Sequence, residues 1–568
     1  MNELGVFTSR TRIAYFCMEI ALRPEIHTYS GGLGILAGDT VRSCSDLGLP
    51  VVFVTLVSRA GYFRQEIGPD GEQRELPDVW DPGAWARRLP AMVGVEIEGR
   101  VVWVQPWLYV HENPKGEAIP ILLLDTDLDQ NAVQDRQLTH SLYGADEVYR
   151  LKQEIILGIG GVRILEALGF ELDTYHLNEG HAALLTIELL RRFRRSDPSP
   201  LPRNGVDPSR VRDLCIFTTH TPVEAGHDRF SYQLFEHVAG DIISVDELRT
   251  YAGAERLDLT RLALNLSGYV NGVAHRHAET TRAMFPGYDI RAVTNGIHSE
   301  TWVHREFAAL YEAYFPRWWH DPEMLVRADR LPDEAIWSAH QAARKDLCAV
   351  IRDRTGAEFD PERPIIGFAR RMTGYKRPNL LFSDLTRLAA IAERYPFQIA
   401  LAGKAHPRDG GGKETIRRIH EAIRQLSGKI PIAFIPNYDM NVAKALVAGA
   451  DVWLNTPQPP MEASGTSGMK AALNGVLNLS TLDGWWIEGC IDGVTGWSID
   501  GQGGSGEARG GEGDAGALYA RLESDVLLLF YNEHAHWVWM MKQSISKLAS
   551  YFNSQRMMRR YATEAYIR

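Results

Sequence analysis

The feature that most constrains this chain is an alternation of short β-rich runs with helical stretches, carried through two blocks in tandem. In the first half, β-branched and apolar runs predict strands at Ile13–Met18, Val51–Val57, Ile121–Asp125 and Leu214–Thr219. Helical patterns such as Glu147–Leu168 and His181–Arg195 separate them. The second half repeats the theme with Ile365–Ala369, Gln398–Ala402, Ile432–Ile435 and Val452–Asn455, each followed by a helical pattern. Two such blocks predict an α/β fold of two doubly wound, Rossmann-like domains facing a cleft. Chemistry in these sheets gathers outside the carboxyl ends of the strands, and with two domains the cleft between them is the expected site. A length of 568 residues suits two or three domains.

Smaller features refine the plan. VGVEIEGRVVWVQ alternates around Glu98-Gly99 and predicts a hairpin decorating the first sheet. The pattern breaks near His298–Pro322, which suggests the hinge and a division into residues 1–300, 301–516 and a helical segment 517–568. SDPSPLPRNG (Ser196–Gly205) and GQGGSGEARGGEGDAG (Gly501–Gly516) read as loops, the second too rich in Gly to pack.

The net charge of −11 argues against general affinity for nucleic acid or anionic membranes, while leaving room for a local basic pocket. The opening MNELGVFTSRTR has no apolar core of a secretory leader, and apolar runs such as Val526–Tyr531 are too short to span a bilayer. Five dispersed cysteines without a CxxC pair fit a reducing cytoplasm better than a disulfide framework or a zinc site.

Three motifs carry candidate chemistry. In YSGGLGILAGD (Tyr29–Asp39) the run from Gly32 to Ala37 matches G-x-G-x-x-A. Glycines entering a helix present open N–H groups to an anion, whereas the plainer reading is a tight turn needing φ > 0. With no acidic residue completing a dinucleotide site, an oxyanion-binding loop is favoured over NAD. FARRMTGYKRP sets Arg370, Arg371, Lys376 and Arg377 at the end of a predicted strand, where guanidinium forks and an ammonium can neutralise a phosphate dianion. EASGTSGMKAALNG (Glu462–Gly475) places Lys470 in a helix that Ser464, Gly465, Thr466 and Ser467 can cap. Near a helix N-terminus the Lys470 pKa could fall, favouring Schiff-base chemistry. An exposed surface lysine fits the same pattern. His176, Glu179, His181 and His220 lack metal-ligand spacing, the H-x-E at His277–Glu279 lacks a following P-C-x-x-C, and Gly403–Glu414 is not a P-loop.

Taken together, these segments resemble the α-glucan (glycogen, starch and maltodextrin) phosphorylases, in a short form. The lysine block is supported in order by YFCMEIAL, YSGGLGILAGD, GYFRQ, HLNEGHAA, TTHTPVEAGH, VNGVAHRH, VTNGIHSETW, FARRMTGYKRP, AGKAHP, NYDM and STLDGWW, from Ile13 to about Ile499. The resemblance implies a GT-B-type fold with pyridoxal 5′-phosphate held as a Schiff base on Lys470. It assigns Lys470, Arg371, Lys376 and His220 to catalysis, and Arg370, Gly465, Thr466, Trp302 and Tyr438 with Lys470 to the cofactor. Gly32, Leu33, Asn295, Glu462, Ser464 and Gly465 are assigned to substrate, with His220 also lining the glucosyl pocket and no metal.

The implied reaction is phosphorolysis of α-1,4-glucans from the non-reducing end, giving α-glucose 1-phosphate with retention. The cofactor phosphate exchanges a proton with inorganic phosphate, so no glycosidase-type carboxylate pair is required. Partners are then an α-1,4-glucan with inorganic phosphate or glucose 1-phosphate, in a cytoplasmic enzyme compatible with homo-oligomerisation. Asp439 departs from the family, whose best-known animal members carry arginine after the tyrosine of NYDM. Little sequence precedes YFCMEIAL, so an N-terminal phosphorylation switch and its AMP site are not expected. Two rivals share the pattern: a nucleotide-sugar glucosyltransferase of glycogen-synthase type, and a non-catalytic glucan-binding homologue.

Overall fold

A computed structural model describes residues 3–144, 146–196, 208–499 and 511–567. Two open sheets organise it, one of ten strands and one of six. The first is parallel through Arg291–Ala292, Tyr269–Gly272, Cys215–Thr218, Thr174–Asn178, Ile13–Phe16, Val51–Leu56 and Ala118–Asp125, in that spatial order. Strand Arg100–Glu112 then runs antiparallel along Ala118–Asp125. The hairpin predicted at Glu98-Gly99 is therefore an extension of the sheet: its second strand belongs to the sheet, and Val93–Ile97 pairs on it.

The second sheet is wholly parallel, in the spatial order Ile432–Ile435, Gln398–Ala402, Ile365–Ala369, Val452–Asn455, Leu477–Ser480 and Gly496–Ser498. Numbered along the chain this is 3-2-1-4-5-6, the doubly wound order that opens a crevice where the winding reverses. The reversal lies between Ile365–Ala369 and Val452–Asn455, so Arg370 and Thr456 flank it. In the first sheet it lies between Ile13–Phe16 and Thr174–Asn178, next to Cys17 and Glu179. Strands such as VVFVTL are buried along their whole length because helices cover both faces, which is why they read as continuous apolar runs.

The two halves meet through a short hairpin, Arg64–Ile67 with Gln73–Leu76. Gln65 and Asn437 exchange two side chain–backbone hydrogen bonds (3.1 and 2.9 Å), and Gln73 pairs both backbone groups of Ala405 at 2.9 Å. Near the end of the chain, Met557, Met558, Tyr561 and Ala565 pack in one cluster with Tyr15, Val41 and Ile216 of the first sheet's side.

One local expectation changes. Gly511–Gly516 is not loop but the start of helix Gly511–Arg521, where Asp514 pairs with Arg377 at 2.5 Å and Ala515 is buried; the ion pair and packing offset the poor helix propensity of glycine. Residues 501–510 lie outside the described residues, as do 197–205 of the other predicted loop. The stretch His298–Pro322, where the α/β pattern breaks, is itself helical at Ser299–Trp302 and Arg305–Tyr314.

Candidate functional site

At the crevice of the second sheet, strand Ile365–Ala369 ends directly in Arg370 and Arg371. The short turn Gly374–Lys376 brings Lys376 back beside them. Glu462 bridges the pair: its Oε2 accepts from Arg370 Nη2 and from Lys376 Nζ, each at 2.5 Å, with all three side chains buried. Burial works against the Glu462 carboxylate, but the two cations more than offset it and hold its pKa near 2. For Lys376, burial and the neighbouring Arg370 outweigh Glu462 and bring the pKa down to about 7. One carboxylate thus faces two buried cations. Arg370 Nη1 is buried without a partner.

Arg371 differs from both neighbours. It is exposed, and no described carboxylate lies within ion-pair distance. Its charge acts on Tyr375 and, across on the first sheet's side, on Tyr62, Glu19 and Tyr143. A Cβ on Gly31 would lie 3.3 Å from its Nη2, so the glycine loop and the cationic loop approach closely. Arg377, grouped with the phosphate-binding cations by sequence, is turned to structural work: it donates to the carbonyls of Thr456 (2.8 Å) and Pro457 (2.9 Å) and pairs with Asp514.

Asp483 clamps the Glu462 loop from behind. Its two oxygens accept from the backbone N–H groups of Glu462 (2.8 Å) and Gly484 (2.9 Å). Burial raises its pKa to about 6 against those donors, with the Glu462 charge adding to the rise. Gly465, at φ +84, makes the turn that follows; an L-residue there would be strained. Trp485 N–H binds the Ser464 carbonyl at 2.9 Å, while the buried Ser464 Oγ has no partner.

Lys470 sits in the seven-residue helix Ser467–Leu473. The predicted side-chain cap does not form: Thr466 holds the N-cap position in αR geometry without a side-chain hydrogen bond. Ser467 Oγ instead accepts from Trp453 Nε1 at 3.1 Å. The amine is not a surface lysine. It is 7% exposed, its Nζ lies 3.7 Å from the centroid of the Trp302 ring, and burial brings its pKa to about 8 with Asp39 opposing the fall. Tyr438 is close enough to Arg370 for their charges to interact, and burial raises its hydroxyl pKa. The departure at Asp439 has a local reason: its Oδ1 caps helix Met440–Gly449 by accepting from Val442 N–H at 2.9 Å.

On the first sheet's side the glycine loop is built around a carboxylate. Glu19, 1% exposed, accepts from Ser30 N–H (2.6 Å), Gly31 N–H (3.0 Å) and Tyr143 OH (2.7 Å). The amides of Ser30 and Gly31 are thus committed within the protein, and Gly32 and Leu33 open the helix that follows, Gly32–Asp46. Two of the glycines, Gly34 and Gly38, are required by space, not by positive φ, whereas a Cβ on Gly32 would meet nothing. A Cβ on Gly34 would meet Glu19 Oε2 at 2.6 Å, and one on Gly38 would meet the Ala21 carbonyl at 2.0 Å.

His220 follows strand Cys215–Thr218; its Nε2–H donates to Asn178 Oδ1 at 2.7 Å, and burial keeps the ring neutral by lowering its pKa. Asn295 follows Arg291–Ala292 and keeps a buried, unpaired Oδ1. Neither makes a hydrogen bond or ion pair with Arg370, Lys376 or Glu462. The other histidines are occupied: His176 binds Tyr566 OH and Thr218 Oγ1, both at 2.8 Å, and His181 accepts from Met18 N–H at 3.1 Å. Among the described residues no group of His, Cys, Asp and Glu is arranged to hold a metal ion.

Sequence reasoning left Glu19, Asp39 and Asp483 unassigned, although all three lie inside or beside the motifs it quoted. The signal was available as acidic residues in runs otherwise apolar or glycine-rich, where an unpaired charge cannot be buried.

A family model described as carbohydrate phosphorylase matches residues 222–492. The chain is 39% identical to the maltodextrin phosphorylase of Thermococcus litoralis, over 98% of this chain and 70% of the relative. It is 36% identical to a glycogen phosphorylase of Mycobacterium tuberculosis, over 98% and 71%. A glycogen phosphorylase of Aquifex aeolicus is 35% identical, over 98% and 86%.

Proposed function

Because this chain belongs to the carbohydrate phosphorylase family, we propose that it degrades α-1,4-glucans with inorganic phosphate, releasing α-glucose 1-phosphate with retention and using pyridoxal 5′-phosphate on Lys470. The observation that carries the reading is the cationic crevice: Arg370, Arg371 and Lys376 at one strand end, with Glu462 as the one carboxylate, shared by Arg370 and Lys376. Such a charge imbalance is suited to receiving phosphate groups.

The residues present fit the cofactor. Lys470 offers a buried amine whose pKa of about 8 leaves a fraction neutral at physiological pH, as carbonyl capture requires. Arg370 offers an unpaired guanidinium nitrogen, and Trp302 and Tyr438 supply apolar walls. When bound, the cofactor supplies a phosphate group able to exchange a proton with the substrate phosphate.

The chain's own residues would do the rest. Arg371 and Lys376 hold and neutralise the substrate phosphate. Glu462 exchanges its cations for sugar hydroxyls as phosphate arrives. Ser464, Asn295 and His220 are the polar lining of the glucosyl pocket, two of them with buried oxygens still unpaired. A glycosidase mechanism is poorly supported by these groups. Glu462 is held ionised, and both Asp483 oxygens are bound to backbone N–H groups, so neither is poised as the acid of a carboxylate pair.

Borohydride reduction of the purified chain followed by peptide mass analysis tests the reading. A pyridoxyl adduct on Lys470, with loss of cofactor and phosphorolysis in Lys470→Ala, is expected. Transfer from ADP-glucose or UDP-glucose by a folded chain that takes up no pyridoxal phosphate would replace it with the nucleotide-sugar reading.

A further inference from the structure

Lys470 belongs to the second sheet's side of the molecule, yet its charged surroundings come from the first. Trp302, whose ring lies under the ammonium, spends its indole N–H on Asp39, with Nε1 at 3.0 and 2.9 Å from the two carboxylate oxygens. Asp39 stands on helix Gly32–Asp46, one residue after the Gly38 that allows this helix to touch the Ala21 carbonyl. It is 1% exposed, and among the described residues the one cation within ion-pair distance is Arg42, at 3.9 Å. Arg42 in turn donates to the carbonyls of Ala21 and Leu22 at 3.3 and 2.6 Å, so it cannot swing fully onto the carboxylate. Lys444, from helix Met440–Gly449, is the other cation whose charge Asp39 and Arg42 affect.

We propose that Asp39 is a positioning residue for Lys470: by holding the Trp302 indole N–H it fixes the ring against which the amine is held, and it is the carboxylate that accompanies the amine on that side. This rests on the reading of Lys470 as the cofactor lysine. Two physical effects act together. An indole whose N–H is held by a carboxylate cannot rotate without leaving that carboxylate unpaired in the interior, which is costly. A negative charge at the N–H edge of the ring stabilises the ammonium on its face, working with the cation–π attraction and against desolvation. Asp39 would therefore decide how much of Lys470 is neutral and ready to capture a carbonyl at a given pH. It would also make that readiness depend on the two sheets being correctly docked.

The groups facing the amine are of both signs, and this gives a test that general loosening of the structure cannot imitate. Asp39→Asn keeps the shape and an oxygen for Trp302 Nε1 but removes the negative charge, so the Lys470 midpoint falls. Arg42→Gln removes the positive charge, so the midpoint rises. The full chain would be treated with hydroxylamine to free the amine, and acetylation of Lys470 by acetic anhydride followed by peptide mass from pH 6 to about 10, a range that spans the expected midpoints.

Shifts of roughly one pH unit in opposite directions are expected, the size one close charge produces. Equal midpoints in wild type and Asp39→Asn, or shifts of the same sign in both variants, would overturn the proposal. A parallel sample given pyridoxal 5′-phosphate and borohydride separates the two readings. If wild type forms no adduct at Lys470, the cofactor reading fails, while the acetylation midpoints still decide the role of Asp39.

Discussion

Replacing Glu462 by glutamine removes the carboxylate that Arg370 and Lys376 share, and the structure sets the size of the effect. The Glu462 pKa is lowered from 4.5 to about 2. A shift of this size corresponds to ~3 kcal/mol of native-state stabilisation at neutral pH. That agrees with the ~3–5 kcal/mol lost when one member of a buried pair is deleted. Because the native pKa is depressed, the contribution is fully present above about pH 4.5 and is lost as pH falls through about 2. The gap between wild type and variant therefore closes in acid.

With an unfolding entropy of ~2.1 cal/mol/K per residue, a chain this long should melt ~2–3 °C lower in phosphate-free buffer at neutral pH. Phosphate then acts differently on the two proteins. In wild type it must displace Glu462 from its cations, whereas in Glu462→Gln it supplies the missing negative charge, so it should raise the variant's Tm more. Thermal melts with and without phosphate give the answer. A variant that melts with wild type in phosphate-free buffer, or that gains no more from phosphate, would refute the counter-charge argument.

Other outcomes follow from the same geometry. Arg371→Ala should lower kcat/KM for phosphate by ~10²–10³ while leaving glucan binding nearly intact, because Arg371 is exposed and holds no protein carboxylate; equal losses in steady-state kinetics of the folded variant would contradict this. Sulfate affinity, measured by calorimetry with an anion that does not titrate, should fall as pH rises through about 7, where Lys376 loses its proton, and Lys376→Arg should flatten that profile. In Gly38→Ala the new Cβ would lie 2.0 Å from the Ala21 carbonyl, so the glycine-rich helix must shift. A loss of stability of at least ~1–3 kcal/mol is expected in denaturant titration.

Four of the six strands of the second sheet were legible because they are buried and bounded by helices, so each stands out as an apolar run with sharp ends; Leu477–Ser480 and Gly496–Ser498 were missed. Ile365–Ala369, Gln398–Ala402, Ile432–Ile435 and Val452–Asn455 have the same bounds in sequence and structure. Thr174–Asn178 and Tyr269–Gly272 were missed, since TYHLN and YVNG carry polar groups that only the interior of the assembled sheet satisfies: His176, Asn178 and Asn271 all find partners distant in sequence. The hairpin Arg64–Leu76 was invisible for a related reason. Its glutamines pair with Asn437, Gly403 and Ala405, more than three hundred residues away.

By itself the sequence determined the alternation of strand and helix, and with it two doubly wound sheets. It also placed cations immediately after the strand Ile365–Ala369, because local apolar patterning and chain connectivity suffice for that. Which charge meets which was decided only by tertiary structure. Arg370 and Lys376 found Glu462, Arg377 was drawn off to carbonyls and Asp514, and Arg371 was left exposed; nothing in RRMTGYKRP distinguishes these fates. Lys470 likewise reads as a lone cation near a helix start, and its burial over Trp302, with Asp39 at the N–H edge of the ring, depends on docking one sheet against the other. Electrostatic partners and desolvation are set by distances through space, and spacing along the chain does not encode them.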